Sequence, residues 1–326
     1  MNIVLFLLSL LFLNNPTPQL QQFSLHGKAQ GTTWQLSYFA SDSLIAQKSI
    51  DSIFQRIDSS MSLYLPNSLI NRFNAADTGL LMDQHLAAVV QKAIDVYHDT
   101  KGVFDMTVLP LVNAWGFGVE RGQQIPDSAR IRKALACVGT DNVLVEGNFL
   151  RKKLPCVQLD LNGIAQGYTV DLLARFLEEA GIGSYIVELG GEIRVKGRKP
   201  NGERMRIGIE APGEDEGEME YLQRIISIDS GAVTSSGHYR RDYESGGTRI
   251  SHIIDPRSGY PTRNELISVT VIAADAITAD AYDNVLMVLG LEESLNFLST
   301  RSELNAHFIY RDEAGRIRDS ATAGFY

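Results

Sequence analysis

The chain is poor in the residues that build metal clusters and nucleic-acid surfaces. Two cysteines and six histidines are too few and too scattered for a zinc cluster. Lysine and arginine number 30 against 39 aspartates and glutamates, a net charge of -9, so no basic excess is available to neutralise phosphates. That balance excludes a general nucleic-acid binder. No period of tens of residues repeats, and no low-complexity tract appears. A Walker loop, a Gly-x-Gly-x-x-Gly fingerprint and a His-Glu-x-x-His helix are all missing. Ser235-Ser236-Gly237 lacks the strand and helix surroundings of a nucleophile elbow. The two cysteines, Cys137 and Cys156, suit either a disulfide in an oxidising compartment or burial as reduced thiols.

What is present reads as an ordinary globular protein. With 326 residues, 44% of them hydrophobic and 21% charged, the chain can bury one large core or two closely packed ones. The N-terminus is the compositional exception. Ile3 to Leu13 is almost continuously apolar, and Asn14-Asn15-Pro16-Thr17-Pro18 ends the run. That run is too short to span a bilayer comfortably, which points to an export signal or a weak membrane anchor over residues 1–22. No Lys or Arg precedes it, no small-x-small cleavage site follows, and no Cys sits where a lipid-anchored protein would carry one.

After a polar connector, Gly31 to Phe39 alternates like a half-buried strand, and Ser41 to Met61 has apolar residues at helical spacing. Met61 to Ser68 reads as a loop and Asp83 to Thr100 as a helix opened by an acidic cap. Asp105 is a candidate cap for a short helix, and Trp115 and Phe117 suit core packing or the wall of a flat ligand site. A helix over 126–136 and strands near 142–146 and 149–152 follow. Two strands flank Gly190-Gly191-Glu192, where paired glycines suggest a bulge or a ligand contact. Residues 212–220 form an acidic, solvated loop. Strands near 204–209, 222–229 and 267–273, a helix over 277–289, and a final helix and strand complete an α+β chain.

The segment Leu159-Asp160-Leu161-Asn162-Gly163-Ile164-Ala165-Gln166-Gly167 reads as a short apolar strand that turns through glycine into a helix. Such a turn aims unpaired helix N–H groups at what lies above it, commonly a phosphate. Asp160, between two leucines, points away from their face toward a ligand or a structural partner. Farther on, Asp280 and Asn284 stand one helical turn apart, with Asp283 able to add a third oxygen. Together they suit a hard cation such as Mg²⁺, or a polar solvent-facing stripe. His252, before an Asp-Pro-Arg-Ser-Gly turn, is a candidate general base or a structural histidine.

Taken in order, these pieces resemble the ApbE-type flavin transferases, the FAD:protein FMN transferase family. The matching segments are Gly31-Thr32-Thr33-Trp34, Met61-Ser62-Leu63-Tyr64 with Ser68, Val103 to Thr107 through Trp115-Gly116-Phe117, and Leu159 to Asp171. They continue with Gly190-Gly191-Glu192, Thr234 to Tyr239, His252 to Pro261, and Ala279-Asp280-Ala281. The resemblance implies an α+β, T-fold-like architecture of largely antiparallel sheets flanked by helices, occupying residues 23–326, with a cleft between two lobes. It implies a Mg²⁺-dependent enzyme that moves FMN from FAD onto a Thr or Ser hydroxyl of a target protein and releases AMP. Tyr64, Val103, Phe104, Asp105, Asp160, Gln166 and Ile254 would then contact FAD. The Gly163 carbonyl, Asp280, Asp283 and Asn284 would lie at the metal, and His252 would be the base. Four positions depart from the family pattern: Gln166 replaces a Lys, Asn284 a Thr, Asp283 a small residue and Met106 a Pro.

The implied partners are FAD and a membrane redox subunit of the Nqr or Rnf type. The implied location is the cell envelope, on the periplasmic side of the inner membrane. Two alternatives use the same site. One is an FAD diphosphatase, with water as the attacking group; the other is a non-catalytic flavin-binding protein.

Overall fold

The computed structural model describes residues 20–119, 125–211, 221–237, 243–245 and 248–325. Nearly all of the expected leader, the acidic loop 212–220, and His238-Tyr239 lie outside the described residues. Along the chain run β1 (Gln21–Ala29), β2 (Thr32–Ala40), α1 (Gln47–Met61), α2 (Leu69–Ala75), β3 (Gly79–Leu81) and α3 (Gln84–Asp99). Next come α4 (Leu109–Ala114), α5 (Ser128–Leu135), β4 (Val143–Glu146), β5 (Phe149–Lys152), α6 (Ala165–Glu179), β6 (Tyr185–Leu189) and β7 (Glu192–Lys196). β8 (Met205–Ala211), β9 (Tyr221–Ile228), β10 (Ser230–Gly237), β11 (Tyr243–Ser245), β12 (Thr248–Ile250), β13 (Ile254–Asp255) and β14 (Tyr260–Pro261) follow. The chain closes with β15 (Leu266–Ala273), α7 (Ala276–Leu289), α8 (Leu291–Leu298), β16 (Asn305–Arg311) and β17 (Ile317–Ala321).

The backbone of the fold is an antiparallel eight-stranded sheet in the order β1-β2-β6-β7-β10-β15-β16-β17. Strand alternation sends Leu36, Tyr38, Tyr185, Val187 and Val271 to one face, where α1, α6 and α7 cover them. Ile186, Ile193, Val195 and Val233 face the other way and are covered by the β8–β9 hairpin. A second core gathers α2, α3 and the β3-β5-β4 sheet against the far sides of α6 and α7, through Ile164, Ala281 and Val285. Leu172, Tyr282, Val288 and Leu289 touch both cores. The two lobes therefore share α6 and α7 as their common wall.

Several elements differ from the sequence reading. The polar connector before Gly31 is the edge strand β1, paired with β2 along its whole length. The helix expected from Ser41 starts at Gln47, because the Tyr38 hydroxyl accepts the N–H groups of Leu44 and Ile45 and holds that stretch extended. α2 and β17 were not foreseen. Leu159–Leu161 joins no sheet: Asn74 pairs with both backbone groups of Leu159, and Met106 O takes the N–H of Asp160. Side-chain and single backbone bonds replace the ladder there. Gly190 and Gly191, at φ 67° and 113°, make a tight β6–β7 turn and not the bulge that was one reading of the pair; Gly190 also borders the cavity where the two lobes meet. Cys137 and Cys156 form a disulfide, which overturns the reading as buried thiols; Cys156 is exposed.

Candidate active site

A cavity of about 400 Å³ lies where the two lobes meet, within the size range of small-molecule sites. Every site residue expected from the sequence borders it. Tyr64 stands at the mouth, 63% exposed. Its loop is shaped from below: Ser68 caps α2 and donates to Ser62 O, while Asn71 Nδ2 donates to the carbonyls of Leu63 and Leu65. Phe104 and Ile254 are buried apolar lining. Trp115 belongs to the core behind them, donating to Gly259 O at 2.8 Å, whereas Phe117 reaches the cavity and meets the His252 ring edge-on at 6.3 Å.

Asp105 does not cap α4, whose N-cap is Val108. Instead its buried carboxylate accepts the N–H and hydroxyl of Thr107 (2.8 and 2.6 Å) and of Thr140 (3.1 and 2.9 Å). Burial still pushes its carboxyl above the ordinary range. Asp160 behaves as the flanking leucines require: Leu159 and Leu161 are buried while its own side chain turns to the cavity and accepts Asn162 N–H at 2.9 Å.

α6 begins beside Asp160, but its first turn is not a bare row of donors. Ala165 N–H bonds Leu161 O, and Gly167 N–H donates to Asp280 Oδ2 at 2.8 Å. The expectation of a freely presented phosphate cradle is corrected accordingly. Asp280 and Asp283 are 3% and 1% exposed, which rules out the solvent-facing stripe. Burial pushes the Asp280 carboxyl up to about 7. It raises Asp283 well above the usual carboxylate range too, with the Asp280 and Glu192 charges adding to the effect.

The Asn284 amide nitrogen lies among three oxygens: 2.8 Å from Asp280 O, 2.9 Å from Asp283 Oδ1 and 3.5 Å from Gly163 O. Oxygens from α7 and from the turn before α6 thus gather around the Asn284 amide, which donates to them; with that amide turned over, Asn284 Oδ1 joins the set, and such oxygen-rich donor chemistry fits Mg²⁺. Among the described residues no group of three or more His, Cys, Asp or Glu forms a metal cluster; carbonyls must complete this set. Gln166 borders the same corner. A Cβ on Gly190 would come within 2.9 Å of Thr32 and 3.1 Å of Gln166 Nε2, so a side chain there would push both aside, and the φ of 67° in the turn itself favours glycine.

Sequence reasoning missed Glu192, which is 8% exposed and borders the cavity beside Asp283. The signal was available in its place directly after the paired glycines of a tight hairpin. It also missed Gln30, which borders the cavity and donates to Thr169 Oγ1 at 3.1 Å. Asp105, Asp160, Glu192, Asp280 and Asp283 all border the cavity, with no Lys or Arg among the described lining residues.

Known proteins resemble this chain over most of its length. A model of the ApbE family matches residues 30–308. The chain is 38% identical over 296 residues to an FAD:protein FMN transferase of Vibrio cholerae, covering 89% of this chain and 88% of that protein. It is 36% identical over 313 residues to the FAD:protein FMN transferase of Haemophilus influenzae, covering 92% and 90%. Among solved structures, the flavin transferase ApbE of Vibrio cholerae superposes with a TM-score of 0.83 at 34% identity, covering 94% of this chain and 99% of that one. The apo flavinyl transferase ApbE of Pseudomonas stutzeri gives 0.84 at 35%, covering 94% and 96%.

Proposed function

The chain belongs to the ApbE family, and from that premise we propose that it is an FAD:protein FMN transferase acting on a Thr or Ser hydroxyl. The observation that carries the reading is the single cavity onto which His252, the Gly163 turn, the α7 carboxylates and the apolar wall of Phe104 and Ile254 all open. Phe104 and Ile254 offer a flat, apolar surface to the flavin ring, and Tyr64 covers it from the mouth. Asp105 and Asp160 stand in the wall as hydrogen-bond acceptors for the donor. Gly163, Asp280, Asp283 and Asn284 supply the oxygens for Mg²⁺, which when bound neutralises charge on the diphosphate. Asp280 serves catalysis through that role.

An imidazole nitrogen of His252 takes the proton of the acceptor hydroxyl as its oxygen attacks the FMN phosphorus. The new P–O bond forms while the bond between that phosphorus and the AMP oxygen breaks, and AMP leaves with the electron pair. Phe117 against the His252 ring limits the imidazole's orientation.

The target is a membrane redox subunit of the Nqr or Rnf type, met in the cell envelope on the periplasmic side of the inner membrane. Two features support that location: the apolar run Ile3 to Leu13, and the Cys137–Cys156 disulfide, a bond that persists in oxidising compartments. The segment ahead of β1 acts as the export signal or anchor and the chain from β1 onward as the catalytic domain; Gln21 and Gln22, counted with the leader in the sequence reading, pair with Ala40 and Phe39 in the main sheet. No helix among the described residues is long and apolar enough to cross a membrane. Mass spectrometry of the mature N-terminus distinguishes signal from anchor.

Incubation with FAD, Mg²⁺ and a candidate subunit tests the activity. Covalently flavinylated subunit with AMP is the expected result. Free FMN with AMP would instead establish a diphosphatase, and unchanged bound FAD a non-catalytic flavin binder.

A further inference from the structure

α6 and α7 lie against each other and cap one another reciprocally. The Asp171 carboxylate, on the second turn of α6, accepts the N–H of Ala276 through Oδ1 and that of Ile277 through Oδ2, each at 2.9 Å. In return Asp280, on α7, accepts Gly167 N–H at 2.8 Å. Between these bonds the helices touch: a Cβ on Gly167 would stand 2.3 Å from Ala276 O. Arg194 of β7 closes the arrangement, with Nε 3.8 Å from Asp171 Oδ1 and its guanidinium donating to Ala274 O. Asp171 itself does not border the cavity.

α7 does not need Asp171 to begin. Asp275 already caps it, accepting Thr278 N–H at 3.0 Å, as an N-cap Asp ordinarily does. What Asp171 adds is a fix on position. One carboxylate bonded to two consecutive amides tolerates neither translation by a residue, about 1.5 Å along the axis, nor rotation by one, about 100°. Asp280, Asp283 and Asn284 are carried on the same rigid helix one to two turns farther on. A ligand set for a small hard cation tolerates displacements of about 0.5 Å.

We propose that Asp171 is a positioning residue that sets the register of α7 on α6, so that the oxygens of α7 converge with the Gly163 carbonyl. The inference rests on the reading of that donor set as the cation site.

The test is a titration of the purified protein with Tb³⁺, read by sensitised luminescence, and with Mg²⁺, read by turnover, alongside kcat, KM for FAD and melting temperature. In Asp171→Ala the cation concentration at half-saturation rises about tenfold or more, in the range seen when the group behind a metal ligand is lost. KM for FAD at saturating Mg²⁺ stays within about twofold, and Asp171→Glu recovers part of the loss. Asp171→Asn, which keeps one acceptor oxygen, falls between and serves if the alanine variant does not fold. Leu173→Ala, a core truncation on α6 at 0% exposure, lowers the melting temperature without moving cation affinity. Unchanged cation affinity in Asp171→Ala, or an equal loss in Leu173→Ala, would overturn the positioning role while leaving the site reading intact. Wild-type protein that binds neither Tb³⁺ nor Mg²⁺ would overturn both.

Discussion

The buried carboxylates of α7 make the cation-free protein sensitive to pH, with a sign opposite to that of a salt-bridged aspartate. Asp280 is held at about 7 in the folded state, against 3.8 for an aspartate free in water. Below the lower value both states bind the proton and the full contribution is present. As pH rises toward the upper value, the unfolded chain has released its proton while the folded one still holds it, so stability falls. The full shift of about 3 pH units corresponds to roughly 4 kcal/mol at about 1.4 kcal/mol per unit, and the part between pH 5 and 7 to about 2–3 kcal/mol. Asp283, raised by the same burial and by Asp280 itself, adds in the same direction, and the two titrate as a pair. His85 and His307, whose pKa values burial lowers, act oppositely: they add stability as pH rises toward 6.5.

Asp280→Asn isolates the effect, because Asn retains an acceptor for Gly167 N–H and cannot ionise. Urea unfolding of both proteins in the presence of a chelator, at steps from about pH 5 to 8, yields the comparison. The wild type loses on the order of 2–3 kcal/mol more than the variant across that range, and millimolar Mg²⁺ restores the loss in the wild type alone. Parallel stability curves for the two proteins would refute the reasoning, since they would mean that the Asp280 carboxyl titrates alike folded and unfolded.

Gly167→Ala places a methyl 2.3 Å from Ala276 O and 2.8 Å from Asp280 Cβ. The helices must separate, at a cost of roughly 1–3 kcal/mol, visible as a lower melting temperature; an unchanged melt would show that the contact yields freely. Gln166→Lys adds a cation to a cavity bordered, among the described residues, by five carboxylates. It should tighten FAD in the presence of chelator by about tenfold, equivalent to about 1.4 kcal/mol, as read by flavin fluorescence. Equal affinity in both proteins would show that donor binding is not limited by the charge of the wall.

Much of this site was legible in the chain because its elements are local. The alternation Leu159-Asp160-Leu161 correctly predicted which way Asp160 faces, although the segment pairs with Asn74 and Met106 rather than with a sheet. The helical spacing of Asp280, Asp283 and Asn284 anticipated one converging face, but spacing alone does not tell a buried face from a wet one. Burial depends on what packs around α7, and that is decided by α6 and β10, which lie far back in the sequence, together with the adjoining β15. Asp105 was misread for the same reason: two of its four hydrogen bonds come from Thr140, 35 residues on. β1 escaped notice because an edge strand with one wet face carries a weak apolar pattern.

Fold and site are joined most closely along the α6–α7 contact. Gly167 N–H is at once a helix-terminal donor that needs an acceptor and the group that holds one oxygen of Asp280. Asp280 is at once a cap for α6 and one of two buried carboxylates whose charge the surrounding protein disfavours. If α6 presented its amides to an anion alone, as the bare turn suggested, the carboxylates of α7 would have no reason to lie beneath it. Because one Asp280 oxygen is engaged with Gly167, its orientation is set before any cation arrives, and only the other oxygen remains to be directed by a ligand. A substitution at the α6–α7 contact therefore alters stability and the placement of the Asp280 carboxylate together, whereas one at Tyr64, which is exposed at the mouth of the cavity, leaves the α6–α7 contact in place.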